Sequence, residues 1–390
     1  MPTDIAVTIY YGPRSWFEGQ LPARRRRKRT FLLDVVYKRD EEARSVRHIH
    51  VLPDGTQAPV GAAAEKPRRP RNVVAGSNDY ASLNEHAISN FSGLVRSVRP
   101  KRLHLHNPPT QVAAQMQREF HVEVKKFDYP TITPQVLRAV GTGWGGHLMG
   151  QDGVCERLMA ALYPLIRNGR TKPVVLLLLG PSGVGKTETA HFINGLLGGT
   201  LMRKQFSMYH SEKFASYLFG GTHSEPSFAH DLLDRESGVI LLDELDKANP
   251  TFHSGFYQLF DDGIFEDKNY TAVLGPSLII CTTNYRSEAE AISALGDALC
   301  SRFDAVIEYK PLLPEALQQI TDSMIEKSCA VLTDGERDRI DVDEIKGWFR
   351  KSSGQESNVR RLKKIVNEVI ARRLVQTMVD DGDQIESAAS

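Results

Sequence analysis

Residues 180–187 run Gly180, Pro181, Ser182, Gly183, Val184, Gly185, Lys186, Thr187, a glycine-rich loop closed by a lysine and a hydroxyl side chain. Glycines at this spacing let successive backbone N–H groups face a polyphosphate, and a helix beginning at the lysine adds its positive dipole end. Lys186 is placed to reach the β and γ phosphates, and Thr187 to offer its hydroxyl to Mg²⁺. Fifty-seven positions beyond Lys186, the apolar run Val239–Leu242 ends in Asp243 and Glu244. Such a run is a buried strand that delivers two carboxylates to its C-terminal end, where ligands bind in open α/β sheets. There Asp243 would hold Mg²⁺ through water and Glu244 would act as general base on an attacking water. The chemistry implied is hydrolysis of ATP, with Mg²⁺ as its cofactor.

Other reactive side chains read differently. The pairs His48/His50 and His104/His106 sit at strand spacing, so each pair shares one face. No carboxylate or cysteine stands at ligand spacing from them, so they read as packed or solvent-facing strand positions and not as a metal site. Cys155, Cys281, Cys300 and Cys329 are far apart, which suits reduced thiols and gives neither a disulfide framework nor a zinc site.

The elements that must position the loop and the acids alternate regularly from Gln151 onward. A helix over 154–168 leads to a buried strand over 173–179, then the glycine loop, then a helix over 186–197. Further apolar strands are expected over 238–242 and 278–282. Strands alternating with helices predict a parallel sheet covered on both faces. After Pro314 the pattern is helical, predicting a separate helical subdomain. Upstream, 7–11 and 31–37 read as strands, 46–52 as an alternating strand, and 53–79 as a loop rich in Pro, Gly and Arg. A helix over 82–98, a strand at 102–106, a helix over 110–120 and a strand at 121–125 complete a small α/β domain. The stretch 128–146, with two prolines and four glycines, reads as a linker.

Composition bounds the rest. At 390 residues the chain exceeds one ordinary core. No apolar run reaches the ~18 residues of a membrane helix, and the N-terminus lacks a signal-peptide pattern; with the reduced thiols this predicts a cytoplasmic protein. The net charge of +1 hides a split. Residues 1–130 carry 22 lysines and arginines against 13 acids, +9, and the remainder 27 against 35, −8. A basic module attached to an acidic engine suggests an acidic partner for the first part. The run Arg24–Arg29 reads first as a solvated loop, as charge runs usually do, with a polyanion contact for nucleic acid as the alternative.

The order of motifs resembles the ATPase core of the Clp-type AAA+ unfoldases, most closely their second ring module. The resemblance is carried by Gly238–Thr251 with Phe256–Lys268 and spans about residues 145–376. It implies that Leu148 and Met149 frame the adenine, that Asn284 is a polar sensor contacting the γ-phosphate or the attacking water, and that Arg302 is an arginine finger reaching a neighbouring subunit's nucleotide. It also implies that Arg360 is the sensor arginine of a helical lid. The expected organisation is a basic α/β domain (1–130), a linker (131–146), a P-loop AAA+ α/β domain (147–311), a helical lid (312–376) and a tail (377–390). The resemblance further implies a homo-oligomeric ring, and the leading reading is ATP-driven remodelling or disassembly of a protein client recruited by the N-terminal domain. Two departures qualify it. The segment Leu218–Phe228 lacks the aromatic-glycine pore loop that grips threaded polypeptide, though Tyr217, Phe219 or Phe228 could substitute. Only seventeen residues separate Asn284 from Arg302, with no tripeptide of the kind that docks such rings on a protease, so no Clp-type protease partner is expected. A nucleotide-controlled switch or loader acting on nucleic acid is the alternative. A non-hydrolysing scaffold sits poorly with Lys186, Asp243, Glu244, Asn284 and Arg302 all present.

Overall fold

The computed structural model describes residues 5–21, 29–45, 49–51, 57–59, 69–167, 169–208, 213–352 and 358–388. The chain divides into two compact units. The first comprises the described residues of Met1–Tyr129 together with Tyr209–Glu236 and Thr251–Gly275; the second comprises those of Pro130–Met208, Ser237–Pro250 and Pro276–Ser390.

The first unit is built on a parallel sheet of five strands: β1 (Ala6–Tyr11), β2 (Arg29–Phe31), β3 (Asn72–Ala75), β4 (Arg102–His106) and β5 (Val122–Lys126). Their spatial order is β2-β3-β4-β1-β5. Val7, Ile9, Val73, Ala75, Leu103 and Leu105 point to one face, where α2 (Leu32–Ser45), α4 (Phe91–Val98) and α5 (Thr110–Glu119) close the core. Tyr10 and Val74 point to the other face, against Phe17 and Leu21 at α1 (Arg14–Gln20). The later segments of this unit add the helix Phe228–Asp234, whose end accepts the Arg14 backbone N–H on the Asp234 carboxylate at 3.0 Å.

Three local expectations change here. Phe31–Tyr37 was expected as a strand, yet only Phe31 ends one, and Leu32–Ser45 is helical. Its apolar residues suit either period, and Leu32, Leu33, Val35 and Val36 all reach the core, so tertiary packing decides. The expected loop 53–79 contains β3, four residues buried on both faces. A strand that short carries no alternation to read. The expected helix 82–98 divides at Asn90 into α3 (Glu85–Ser89) and α4. Of the basic run 24–29, only the backbone of Arg29 is described; residues 24–28, His48 and the side chain of His50 lie outside the described residues. His104 and His106 are buried: His104 Nδ1 bonds the Tyr10 hydroxyl at 3.2 Å, and His106 stacks on Phe17 with ring centroids 4.5 Å apart.

The second unit holds another five-stranded parallel sheet: β6 (Val174–Leu179), β7 (Met202–Gln205), β8 (Val239–Asp243), β9 (Leu278–Thr282) and β10 (Ala305–Glu308), in the order β10-β6-β9-β8-β7. Every residue of β6, β8 and β9 is buried, which is why these strands read as unbroken apolar runs. Most of the expected linker 131–146 lies in helix α6 (Pro134–His147). Thr133 caps it by accepting the Val136 N–H, Pro134 occupies its first turn, and Val140 and Trp144 enter the core. Two of the four glycines that suggested a linker serve close packing. A β-carbon at Gly143 would meet Phe192 of α8 (Lys186–Leu197) at 3.0 Å, and one at Gly141 would meet Met159 of α7 (Asp152–Leu162) at the same distance. The helices Pro314–Ala330, Val342–Ser352 and Val359–Ala388 follow, as the helical reading after Pro314 predicts. They share a small core of Ile325, Phe349, Val366 and Ile370.

Candidate functional site

The C-terminal ends of β6, β8 and β9 open into one cavity of about 960 Å³ in the second unit. β6 feeds the glycine loop 180–185, which turns directly into α8. Gly180 has φ +134°, and a side chain there would run into the Tyr309 carbonyl oxygen at 2.4 Å. Gly185 has φ +109° and lies against Leu148. Only glycine takes these conformations without strain, so backbone N–H groups can face a ligand. Lys186 is 7% exposed. Its ammonium donates to the Gly180 and Pro181 carbonyls at 2.5 and 2.7 Å and to Asn284 Oδ1 at 3.4 Å. Burial pushes its pKa down to about 8, against the raising influence of Asp243 and Asp246.

Asp243 ends β8 and is buried. Its Oδ1 accepts from the Thr282 hydroxyl at 2.5 Å and the Thr187 hydroxyl at 3.3 Å. Its Oδ2 accepts from Arg203 Nε at 3.0 Å and Nη2 at 2.5 Å. Thr187 and Asp243 thus converge as one hydroxyl and one carboxylate. That hard-oxygen pair fits Mg²⁺, which keeps several waters and binds through one or two carboxylates plus substrate phosphates. Glu244 follows with φ +60°, a strained conformation for a residue other than glycine. Its N–H donates to Thr282 Oγ1 at 3.0 Å, and its carboxylate accepts from Gln205 Nε2 at 3.0 Å. Hydrogen bonds from Ser207 and Gln205 hold its pKa below the usual carboxylate value, so it stays ionised, as a base must.

Of the residues singled out from sequence, the cavity lining brings together Ser182 to Thr187, Asp243, Glu244, Asn284, Leu148, Met149 and Arg360. Gly180 and Pro181 stand just behind, as acceptors for Lys186. Arg302 is not part of the lining; its guanidinium donates to the Ala298 carbonyl. The C-terminal helices contribute the apolar side chains Ile320, Met324, Val359 and Ile370 to the same lining. Sequence reasoning missed Arg203, Gln205, Ser207 and Thr282. Arg203 and Gln205 are two apart on β7 and so share a face, but only the pairing of Leu241 with Arg203 and Asp243 with Gln205 reveals what that face meets.

The three aromatics offered as pore-loop substitutes are unequal. Tyr217 is buried and donates to Asp231 at 2.7 Å, Phe228 is buried between Phe256 and Phe265, and Phe219 is 46% exposed.

Residues 171–328 match the family model of the AAA domain, Cdc48 subfamily. This segment is similar to an AAA domain. Among curated proteins, a ClpA homolog protein of Fuscovulum blasticum is 28% identical over 263 residues, 60% of this chain and 33% of that protein. The ATP-dependent Clp protease ATP-binding subunit ClpL of Staphylococcus aureus is 25% identical over 299 residues, 69% of this chain and 42% of that protein. The chain therefore spans less than half the length of these relatives. The solved structure of an S. cerevisiae Hsp104-ADP complex superposes with a TM-score of 0.56 at 14% identity, covering 79% of this chain and 76% of that one. At that identity the likeness is one of fold. The architecture is α/β, an AAA+ sheet followed by a helical region. Among the described residues, no helix is long and apolar enough to cross a membrane.

Proposed function

We propose that the second unit binds ATP with Mg²⁺ and hydrolyses it, and that the energy remodels or disassembles a protein client recruited through the N-terminal unit. The observation that carries this reading is the convergence of Lys186, Thr187, Asp243, Glu244, Asn284 and Arg360 on one cavity. Lys186 and the loop N–H groups hold the phosphates, and Leu148 and Met149 flank the base. Thr187 and Asp243 would hold the metal, which when bound neutralises charge on the β and γ oxygens. Glu244 takes a proton from the attacking water, Asn284 orients that water or the γ-phosphate, and Arg360 neutralises the phosphate from the lid side. Arg302, turned to its own backbone, is assigned to a neighbouring subunit's site in a homo-oligomeric ring.

Two consequences test this reading. Lys186→Ala should abolish ATP binding in a fluorescent-nucleotide titration. The Glu244→Gln protein should bind ATP normally and retain client in a pull-down that requires ATP. Client retention that ignores nucleotide would remove remodelling from the proposal and leave the ATPase. A second reading, a nucleotide-controlled switch acting on nucleic acid, draws on the +9 charge of residues 1–130 and the burial of Tyr217 and Phe228. Binding to DNA or RNA that weakens steeply with salt would favour it.

A further inference from the structure

The carboxylate of Asp243 has two very different sides. Oδ1 carries the hydroxyls of Thr282 and Thr187, the side on which the nucleotide reading puts the divalent cation. Oδ2 carries both Nε and Nη2 of Arg203, at 3.0 and 2.5 Å. A guanidinium engaging a carboxylate through two nitrogens makes a short, charge-assisted contact, and its charge is not lost at any working pH. Asp243 is 3% exposed, and a carboxylate so enclosed is costly without a partner. The Arg203 side chain remains 37% exposed and itself lines the cavity, beside Lys186 and Glu244. A Mg²⁺ ion and the Arg203 guanidinium would therefore draw on the same carboxylate.

We propose that Arg203 is a positioning residue, the standing counter-charge of Asp243, and that it sets how far nucleotide binding depends on the divalent cation. This inference rests on the ATP·Mg reading of the site. With Arg203 present, the phosphates meet a neutralised carboxylate, and the metal strengthens binding only modestly because it shares Asp243. Without Arg203, Asp243 confronts the triphosphate as an uncompensated like charge, and the metal becomes its only neutraliser. A direct Arg203–phosphate contact predicts something else: affinity would fall equally with and without metal.

The test compares ATP dissociation constants of the full chain in Mg²⁺ and in EDTA, with thermal melts as a check on folding. For Arg203→Gln the EDTA value should weaken about tenfold while the Mg²⁺ value stays within about threefold, so the ratio of the two rises. Arg203→Lys keeps the charge but loses the two-nitrogen contact, and should raise the ratio by about threefold; it decides the matter if the glutamine variant does not fold. An unchanged ratio in the folded variants overturns the proposal while leaving the ATP reading intact. Failure of the unsubstituted protein to bind ATP under either condition overturns both.

Discussion

Lys186 shows how one buried side chain can set a pH limit on the whole site. Burial brings its pKa down to about 8, and contact with phosphate should raise it again, because an opposite charge favours the ammonium. Binding then takes up a proton whenever pH exceeds about 8, so affinity should hold steady below that value and fall above it, by up to about tenfold per pH unit. The Glu244 pKa is lowered too, by hydrogen bonds from Ser207 and Gln205 that favour its charged form, so it adds no limb near neutrality. Titrations of ATP from pH 7 to 9.5 would check this, and a flat profile would show that Lys186 does not meet the phosphates as a cation. These residues were legible because their chemistry lies in a contiguous pattern: a glycine loop ending in Lys186-Thr187, an apolar strand ending in Asp243-Glu244. Arg203, Gln205 and Thr282 carry no such pattern. Their roles depend on which strand lies beside which, and nothing in Met202–Gln205 alone states that Asp243 is its neighbour.

At the scale of elements, the central strands β6, β8 and β9 were legible because burial on both faces leaves no polar interruption, whereas the part-exposed edge strands β7 and β10 carry polar residues and were not. Helices were harder wherever glycine served packing. In α6, Gly141 and Gly143 let Met159 and Phe192 approach, while Trp144 fills the core and donates from Nε1 to the Gln151 carbonyl at 3.1 Å. The helix is therefore structural support for Leu148 and Met149, which follow it at the cavity. Trp144→Ala should cost about 3–5 kcal/mol of stability, read as a lowered denaturation midpoint, and should weaken ATP binding through Leu148 and Met149. A loss of less than about 1 kcal/mol would mean that α6 is peripheral after all. The helix Leu32–Ser45 makes the opposite point: its apolar residues fit a strand as well as a helix, and only the core they reach decides.

For the whole molecule, the described residues of Tyr209–Glu236 and Thr251–Gly275 group with the N-terminal sheet, although they lie in sequence between the glycine loop and Asn284. Sequence order could not reveal that grouping, since it rests on contacts such as the Arg14 N–H to Asp234. The role proposed for Arg302 is tested through assembly. If it completes a neighbour's site, specific ATPase activity should rise with protein concentration, and a finger supplied in trans is worth ~10³–10⁵ in rate. Mixing Arg302→Ala subunits, whose phosphate loop is intact, with Lys186→Ala subunits, whose finger is intact, should restore part of the activity. Mixtures as inactive as either variant alone, with a monomeric and concentration-independent wild type, would make Arg302 structural. The most direct test of the central claim is the identity of the nucleotide recovered from the protein after incubation with radiolabelled ATP and Mg²⁺. The unsubstituted chain should yield ADP and phosphate. Glu244→Gln should yield intact ATP, bound as tightly but turned over at least ~10²-fold more slowly. Equal turnover by the two proteins, or no bound nucleotide in either, would contradict the account.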